Sequence, residues 1–313
     1  MIDMYQIENL VFEGGGIKCY AYIPALKNLL QYFPKFLKQI KGYAGTSAGS
    51  IIATFLCLDT DLDEITEIIK NFSEVEIISN SYFNFFWNIY YLFYRFGMNS
   101  NQVLEELLKK TIRYRWFEIT SIKDYDPTFY DIKDWLNKDL IITSSNINTQ
   151  GLVYFSSSTT PNVPVYKAVL SSCCIPGIFN PVRYDFNPDK SSRHYLVDGG
   201  LILNYPIFVF DSLDPYYSFK TDFVNKKTLG FVIITNNDML NERKIENFTN
   251  FSFNIINILS KQIAKNYMKE NDWDRTIQIF TKHYEISDLN LDNKIKDLDS
   301  NGKESINNFI KNN

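Results

Sequence analysis

The sequence predicts an α/β domain built on a mostly parallel sheet. Three observations carry this. The chain opens with strand, glycine turn and helix, then repeats the set, which is the pattern of parallel strands joined by crossover helices. Further apolar strand-like runs alternate with helical stretches up to about residue 284. And 313 residues with an ordinary 45% apolar share suffice for one large core.

"ENLVFEGGG" reads as a buried strand over roughly Asn9 to Phe12 that runs into three glycines. "IKCYAYIPALKNLLQYF" has helical spacing, with a kink expected at Pro24. A second strand, about Gly42 to Thr46, enters the turn Gly45-Thr46-Ser47-Ala48-Gly49. "AGSIIATFLCL" is apolar all round and predicts a buried helix. "DLDEITEIIKNF" predicts an amphipathic helix, and Ser100 is placed to cap "NQVLEELLKKTI". "DLIITSSN", "GLVYFSSS", "RHYLVDGG", "KTLGFVIITN" and "TIQIFTKHY" predict strands. "VPVYKAVLSSC" predicts a helix ending before Pro176, and "FNIINILSKQIAKNYM" another. No repeat or low-complexity linker divides the chain, so residues 1–313 are read as one domain. Its core covers about 8–236, and 237–313 add a helix, a strand and a tail.

Composition excludes some functions. A net charge of −4 and a pI near 5.4 leave no basic excess for phosphate backbones, so nucleic acid is not an expected partner. Four cysteines, Cys19, Cys57, Cys173 and Cys174, do not form a disulfide framework, which favours a reducing compartment. The first ten residues lack the apolar stretch of a signal peptide, and no run is long enough to span a membrane. A cytoplasmic protein with peripheral membrane contact fits these features.

The chemistry concentrates in two turns. Gly-x-Ser-x-Gly between a strand and a helix is the nucleophile-elbow pattern. Gly45 and Gly49 would allow close packing around a strained Ser47, and the following helix would direct its positive end at the serine oxygen. The alternative is a plain strand–helix turn. Gly14, Gly15 and Gly16 could turn their N–H groups towards a developing oxyanion. A phosphate cradle does not fit, because no Gly-Lys-Ser/Thr follows. If both turns end neighbouring parallel strands, they lie side by side.

The proton acceptor is constrained by scarcity. The chain has two histidines, His194 and His283. His194 shares a strand face with Asp198, about 13 Å away, so both cannot meet Ser47. A Ser47–Asp198–His283 triad has the chain order of α/β-hydrolases, yet few strands precede the serine. The other candidate is a Ser47–Asp198 dyad, in which burial raises the Asp198 pKa towards that of a useful base. Gly199 and Gly200 follow it, and a simple Asp-Gly turn is the competing reading.

Taken together these segments resemble the patatin-like phospholipases. "LVFEGGGIKC" is similar to that family's glycine-rich oxyanion loop, "GTSAGS" to its nucleophile motif, "SSCCIPGIFNPV" to the stretch before its aspartate, and "YLVDGGLILNYP" to its DGG motif. The resemblance implies a three-layer α/β/α fold and calcium-independent hydrolysis of lipid acyl esters at a membrane or micelle surface. It casts Ser47 as nucleophile, Asp198 as base and the Gly14–Gly16 amides as oxyanion hole, with Lys18 beside the loop. It implies no cofactor and no metal. Cys19 departs from the family's Gly or Ala; a side chain there could crowd the packing of the loop on its helix, and it is read as a tolerated variation. Acyl transfer to an acceptor other than water stays open, as does a non-catalytic lipid-binding role.

Two further segments each admit two readings. The aromatic run at 83–97 is either a buried helix or a lipid-facing cap. Lys109, Lys110, Arg113, Arg115 and Lys123 are either solvated or turned to anionic headgroups. "DLDSNGKESINN" begins like a calcium loop but has Asn308 where the bidentate Glu belongs.

Overall fold

The computed structural model describes residues 3–73, 94–186, 193–218, 221–235, 245, 251, 254–255, 258, 268–281, 291 and 294–312. Its main sheet runs β10-β9-β1-β2-β4-β8-β7, with β5 paired to β4. The strands are β1 (Asn9–Phe12), β2 (Gly42–Gly45), β4 (Asp139–Asn146), β5 (Gly151–Phe155), β7 (Val182–Tyr184), β8 (His194–Asp198), β9 (Thr228–Thr235) and β10 (Thr276–Thr281). From β10 to β4 every neighbouring pair is parallel, whereas β5, β8 and β7 join antiparallel. A separate small parallel pair joins β3 (Gly97–Asn99) to β6 (Gly177–Phe179).

Alternation along the strands decides which face covers what. Leu10 and Phe12, Tyr43, Leu140 and Ile142, Leu229 and Phe231 belong to the larger core. That core is filled by α1 (Tyr22–Tyr32), α2 (Ala48–Cys57), α3 (Leu62–Ser73), α4 (Gln102–Thr120), α5 (Phe129–Leu136), α6 (Val165–Cys173) and the final helix α7 (Ile295–Asn312). Val11, Ala44, Ile141 and Val232 point the other way, onto Leu203, Tyr205, Ile207, Phe208 and Val209. Among the described residues this second face is therefore covered by the non-helical segment that follows β8.

Several local expectations change. A 3₁₀ turn (Gly16–Ala21) precedes α1, so Pro24 falls in the first helical turn. N–H groups there lack intrahelical partners anyway, and no kink is needed. Ser100 accepts the Gln102 N–H, but the cap position of α4 is Asn101, whose side chain turns instead to the Asn180 carbonyl. "DLDSNGKESINN" lies within α7, so its acids spread around a helix rather than line a loop. Gly302 serves close packing there, since a Cβ would meet the Ala21 carbonyl oxygen at 2.5 Å. The aromatic run lies outside the described residues up to 93, and of its end Tyr94 and Phe96 are exposed. Among the described residues no helix is long and apolar enough to cross a membrane.

Candidate active site

Register brings the two turns together. β1 and β2 are parallel neighbours with Phe12 opposite Gly45, so the glycine turn and the serine turn leave the sheet side by side. β4 draws in the aspartate: Gly45 pairs with Ile142, and Asp198 pairs with Ser144 two residues on.

Ser47 has φ 52° and ψ −132°, a backbone state that costs a non-glycine residue about 1–3 kcal/mol. Its surroundings hold it there. The Ser47 N–H donates to Ser172 Oγ at 2.8 Å, and Ser50 Oγ donates back to the Ser47 carbonyl at 2.6 Å. The flanking glycines are sterically required. A Cβ on Gly45 would lie 2.4 Å from the Gly49 carbonyl oxygen, and one on Gly49 would lie 2.5 Å from that of Phe12. Helix α2 starts immediately after Ser47, so its positive end faces the serine.

Ser47 Oγ donates to Asp198 Oδ2 at 2.7 Å. The other carboxylate oxygen accepts the Gly200 N–H at 2.7 Å, and the Asp198 N–H is fixed on the Cys174 carbonyl. Asp198 is 4% exposed. Burial pushes its carboxyl up from 3.8 to about 6, against the hydrogen bonds from Ser47 and Gly200, which favour the carboxylate. Gly199 must be small, because a Cβ would sit 2.6 Å from the Thr143 carbonyl oxygen.

The glycine turn abuts the serine. A Cβ on Gly14 would come within 2.9 Å of Ser47 Cβ and 2.5 Å of Asn204 Oδ1. The Gly14 N–H already donates to the Asn204 carbonyl at 3.1 Å. Of the three expected oxyanion donors, Gly14 is thus already engaged, and the Gly15 backbone N–H donates to the Cys19 sulfur. Gly16 alone in the turn has positive φ, 57°, and faces open space. Lys18 Nζ reaches Thr235 Oγ1 at 3.3 Å, at the end of β9.

Cys19 does not crowd the loop. It is 2% exposed, and its thiol donates to the Glu13 carbonyl at 3.5 Å. Burial pushes that thiol well above its ordinary pKa. Tyr22 Oη joins it on the same carbonyl at 3.1 Å. Beneath, Phe12 stacks on Phe231 at 5.1 Å and Tyr22 meets both rings, so aromatic packing supports the loop from the core side.

Other expected residues lie elsewhere. His194 starts β8, four positions from Asp198, with its ring against Asn146 Nδ2 and Phe186. His283 lies outside the described residues. Arg113 grips Asp126 through two nitrogens, Arg115 reaches Glu64, and Lys123 lies over the Phe117 ring. These cations staple α4 to its neighbours.

Comparisons with known proteins bear on this arrangement. The chain is 36% identical over 212 residues to the uncharacterised protein R571 of Acanthamoeba polyphaga mimivirus, covering 67% of this chain and 63% of that one. It is 27% identical over 207 residues to the uncharacterised protein YqhO of Bacillus subtilis, covering 64% of this chain and 65% of that one. The match thus takes in less than two thirds of either relative's length. Among solved structures it resembles VipD of Legionella pneumophila, with a TM-score of 0.56 at 16% identity over 98% of this chain and 67% of that one. A crystal structure of full-length SpcU in complex with full-length ExoU from Pseudomonas aeruginosa matches with a TM-score of 0.50 at 16% identity, over 98% of this chain and 53% of that one. At such identity these two speak for the fold alone. A family model described as patatin-like phospholipase matches residues 10–211, the span that carries both turns and the aspartate. This chain belongs to the patatin-like phospholipase family.

Proposed function

We propose that the protein is a lipid acyl hydrolase of phospholipase A or lysophospholipase type, acting by a Ser47–Asp198 dyad without calcium. The observation that carries the reading is the 2.7 Å hydrogen bond from Ser47 Oγ to a buried carboxylate whose pKa is raised. A carboxylate near its ordinary pKa is a weak base, and one lifted to about 6 is better matched to neutral pH.

The placement of atoms supports the following course of reaction. Ser47 Oγ attacks the ester carbonyl as its proton passes to Asp198 Oδ2. Gly200 holds Oδ1, so Oδ2 stays aimed at the serine. The Gly16 amide and the α2 N-terminus stabilise the oxyanion. The protonated Asp198 then gives its proton to the departing alkoxide, leaving an acyl-serine. Water attacks that ester as Asp198 takes its proton; the tetrahedral intermediate then collapses, Asp198 returns the proton to Ser47 Oγ, and the fatty acid leaves. The substrate is a lipid presented at a membrane or micelle surface.

The catalytic unit extends past the span that defines the family. β9 lies between β1 and β10, and α7 packs on the turn that follows the glycines. Both support reading the chain as one domain.

The test is hydrolysis of mixed phospholipids and lysophospholipids, resolved by mass, together with labelling by a fluorophosphonate. Wild-type protein should hydrolyse and label at Ser47, and Ser47→Ala and Asp198→Asn should lose hydrolysis while remaining folded. Full activity in either variant removes the dyad.

A further inference from the structure

We propose that Glu13 is a positioning residue, whose carboxylate sets the direction of the glycine-turn amides through the β9 backbone and Asn204. The inference rests on the reading of Ser47 as nucleophile and adds to it the device that aims the oxyanion donors.

The β1–β9 register carries Glu13 opposite Val232. Its N–H keeps the ladder, donating to the Phe231 carbonyl at 3.0 Å. In a regular parallel ladder the Glu13 carbonyl would then accept the Ile233 N–H. Here the Glu13 side chain takes that bond instead: Ile233 N donates to Oε2 at 2.9 Å. The carbonyl is freed to rotate out of the sheet, where Tyr22 Oη and Cys19 Sγ donate to it. A side chain thus completes the ladder while the main chain departs from it, at the residue just before the glycines.

The second carboxylate oxygen fixes what comes next. Asn204 Nδ2 donates to Glu13 Oε1 at 3.1 Å and to the Gly14 carbonyl at 2.8 Å. The Asn204 carbonyl accepts the Gly14 N–H. Gly14 is therefore gripped on both sides by Asn204, and Asn204 is oriented by Glu13. The amide orientation is unambiguous, because a carbonyl can only accept. Gly14 is also the glycine that abuts Ser47. What Glu13 supplies is acceptance at both ends. A glutamine there would oppose one of the two donors, Ile233 N–H or Asn204 Nδ2, with a donor of its own.

The experiment is steady-state kinetics on the 313-residue chain with Glu13→Gln, Asn204→Asp and the double variant, with thermal melts and the rate of fluorophosphonate labelling. Glu13→Gln should lower kcat about ten- to hundredfold with KM nearly unchanged, the loss expected when oxyanion donors are mis-aimed. Labelling of Ser47 should slow in the same proportion, because it uses the same donors. In the double variant the new amide at 13 can donate to the new carboxylate at 204 and still accept from Ile233. It should exceed the activity that the two single losses predict together. A Glu13→Gln kcat equal to wild type, or a raised KM at unchanged kcat, overturns the inference. Should that variant prove insoluble, Glu13→Asp, which keeps the charge but shortens the reach, is read by the same criterion. Wild-type protein that neither hydrolyses nor labels sinks the hydrolase reading itself. An active wild type beside an equally active Glu13→Gln sinks only this one.

Discussion

Ser47 Oγ and Asp198 Oδ2 lie 2.7 Å apart although 151 residues separate them in the chain. The contact exists because β2 and β8 both end against β4, at Ile142 and Ser144. Everything expected of the site follows from the environment of that pair.

Activity should depend on pH through Asp198. The base works only when ionised, and burial lifts its pKa to about 6. We expect kcat/KM to fall about tenfold per pH unit below that point. A pH–rate profile on a soluble ester measures this. A profile with no acid limb down to about pH 4.5 removes Asp198 as the base.

The same carboxylate should cost stability. Its folded pKa, about 6, lies above the ordinary 3.8, so the native state binds the proton more tightly. Between those values stability falls as pH rises, and the full cost is present above the folded pKa. Asp198→Asn should therefore stabilise the protein at pH 7.5 by about 1–3 kcal/mol while abolishing hydrolysis. Urea titrations of the two proteins decide it, and a destabilised variant contradicts the prediction.

Two neighbouring glycines should answer differently to one methyl group. At Gly14 a Cβ would meet Asn204 Oδ1 at 2.5 Å and Ser47 Cβ at 2.9 Å. Gly14→Ala should displace the turn and lower kcat by tenfold or more, as a rough expectation from mis-aimed donors. At Gly16 nothing lies within 4 Å, and only the positive φ resists a side chain. Gly16→Ala should cost about 1–2 kcal/mol of stability and leave the turn in place. Melts and labelling rates for the pair separate steric from conformational demand.

Arg275 should be a structural keystone away from the chemistry. It is 2% exposed, bonded to Asp211 through two nitrogens and to Asp272, and both acids have fully buried side chains. Removing one partner of such a cluster leaves uncompensated buried charge, at about 3–5 kcal/mol. Arg275→Ala should lose stability on that scale while the folded fraction keeps its kcat. An unchanged urea midpoint would falsify this.

Legibility in the sequence followed the range of the interactions. The strand–turn–helix units at Asn9 and Gly42 were readable because turn glycines and apolar runs are local signals. β3, β6 and β7 were not, since three residues each carry no period. The kink expected at Pro24 failed because its effect depends on where the helix begins, which the preceding 3₁₀ turn decides. Cys19 reads from the sequence as a tolerated variation, and its partner, the Glu13 carbonyl, is a tertiary feature.

The sequence by itself determined the two turns, the shortage of histidines and the candidacy of Ser47 and Asp198 as nucleophile and base. Each rests on residue types at short spacing, which the chain displays directly. Tertiary structure decided how they meet. It set the Ser47–Asp198 distance, committed the Gly14 N–H to Asn204, and placed Glu13 between β9 and Asn204, across 220 and 191 residues. Hydrogen bonds of that span depend on strand order and register, and these emerge only when the whole sheet assembles.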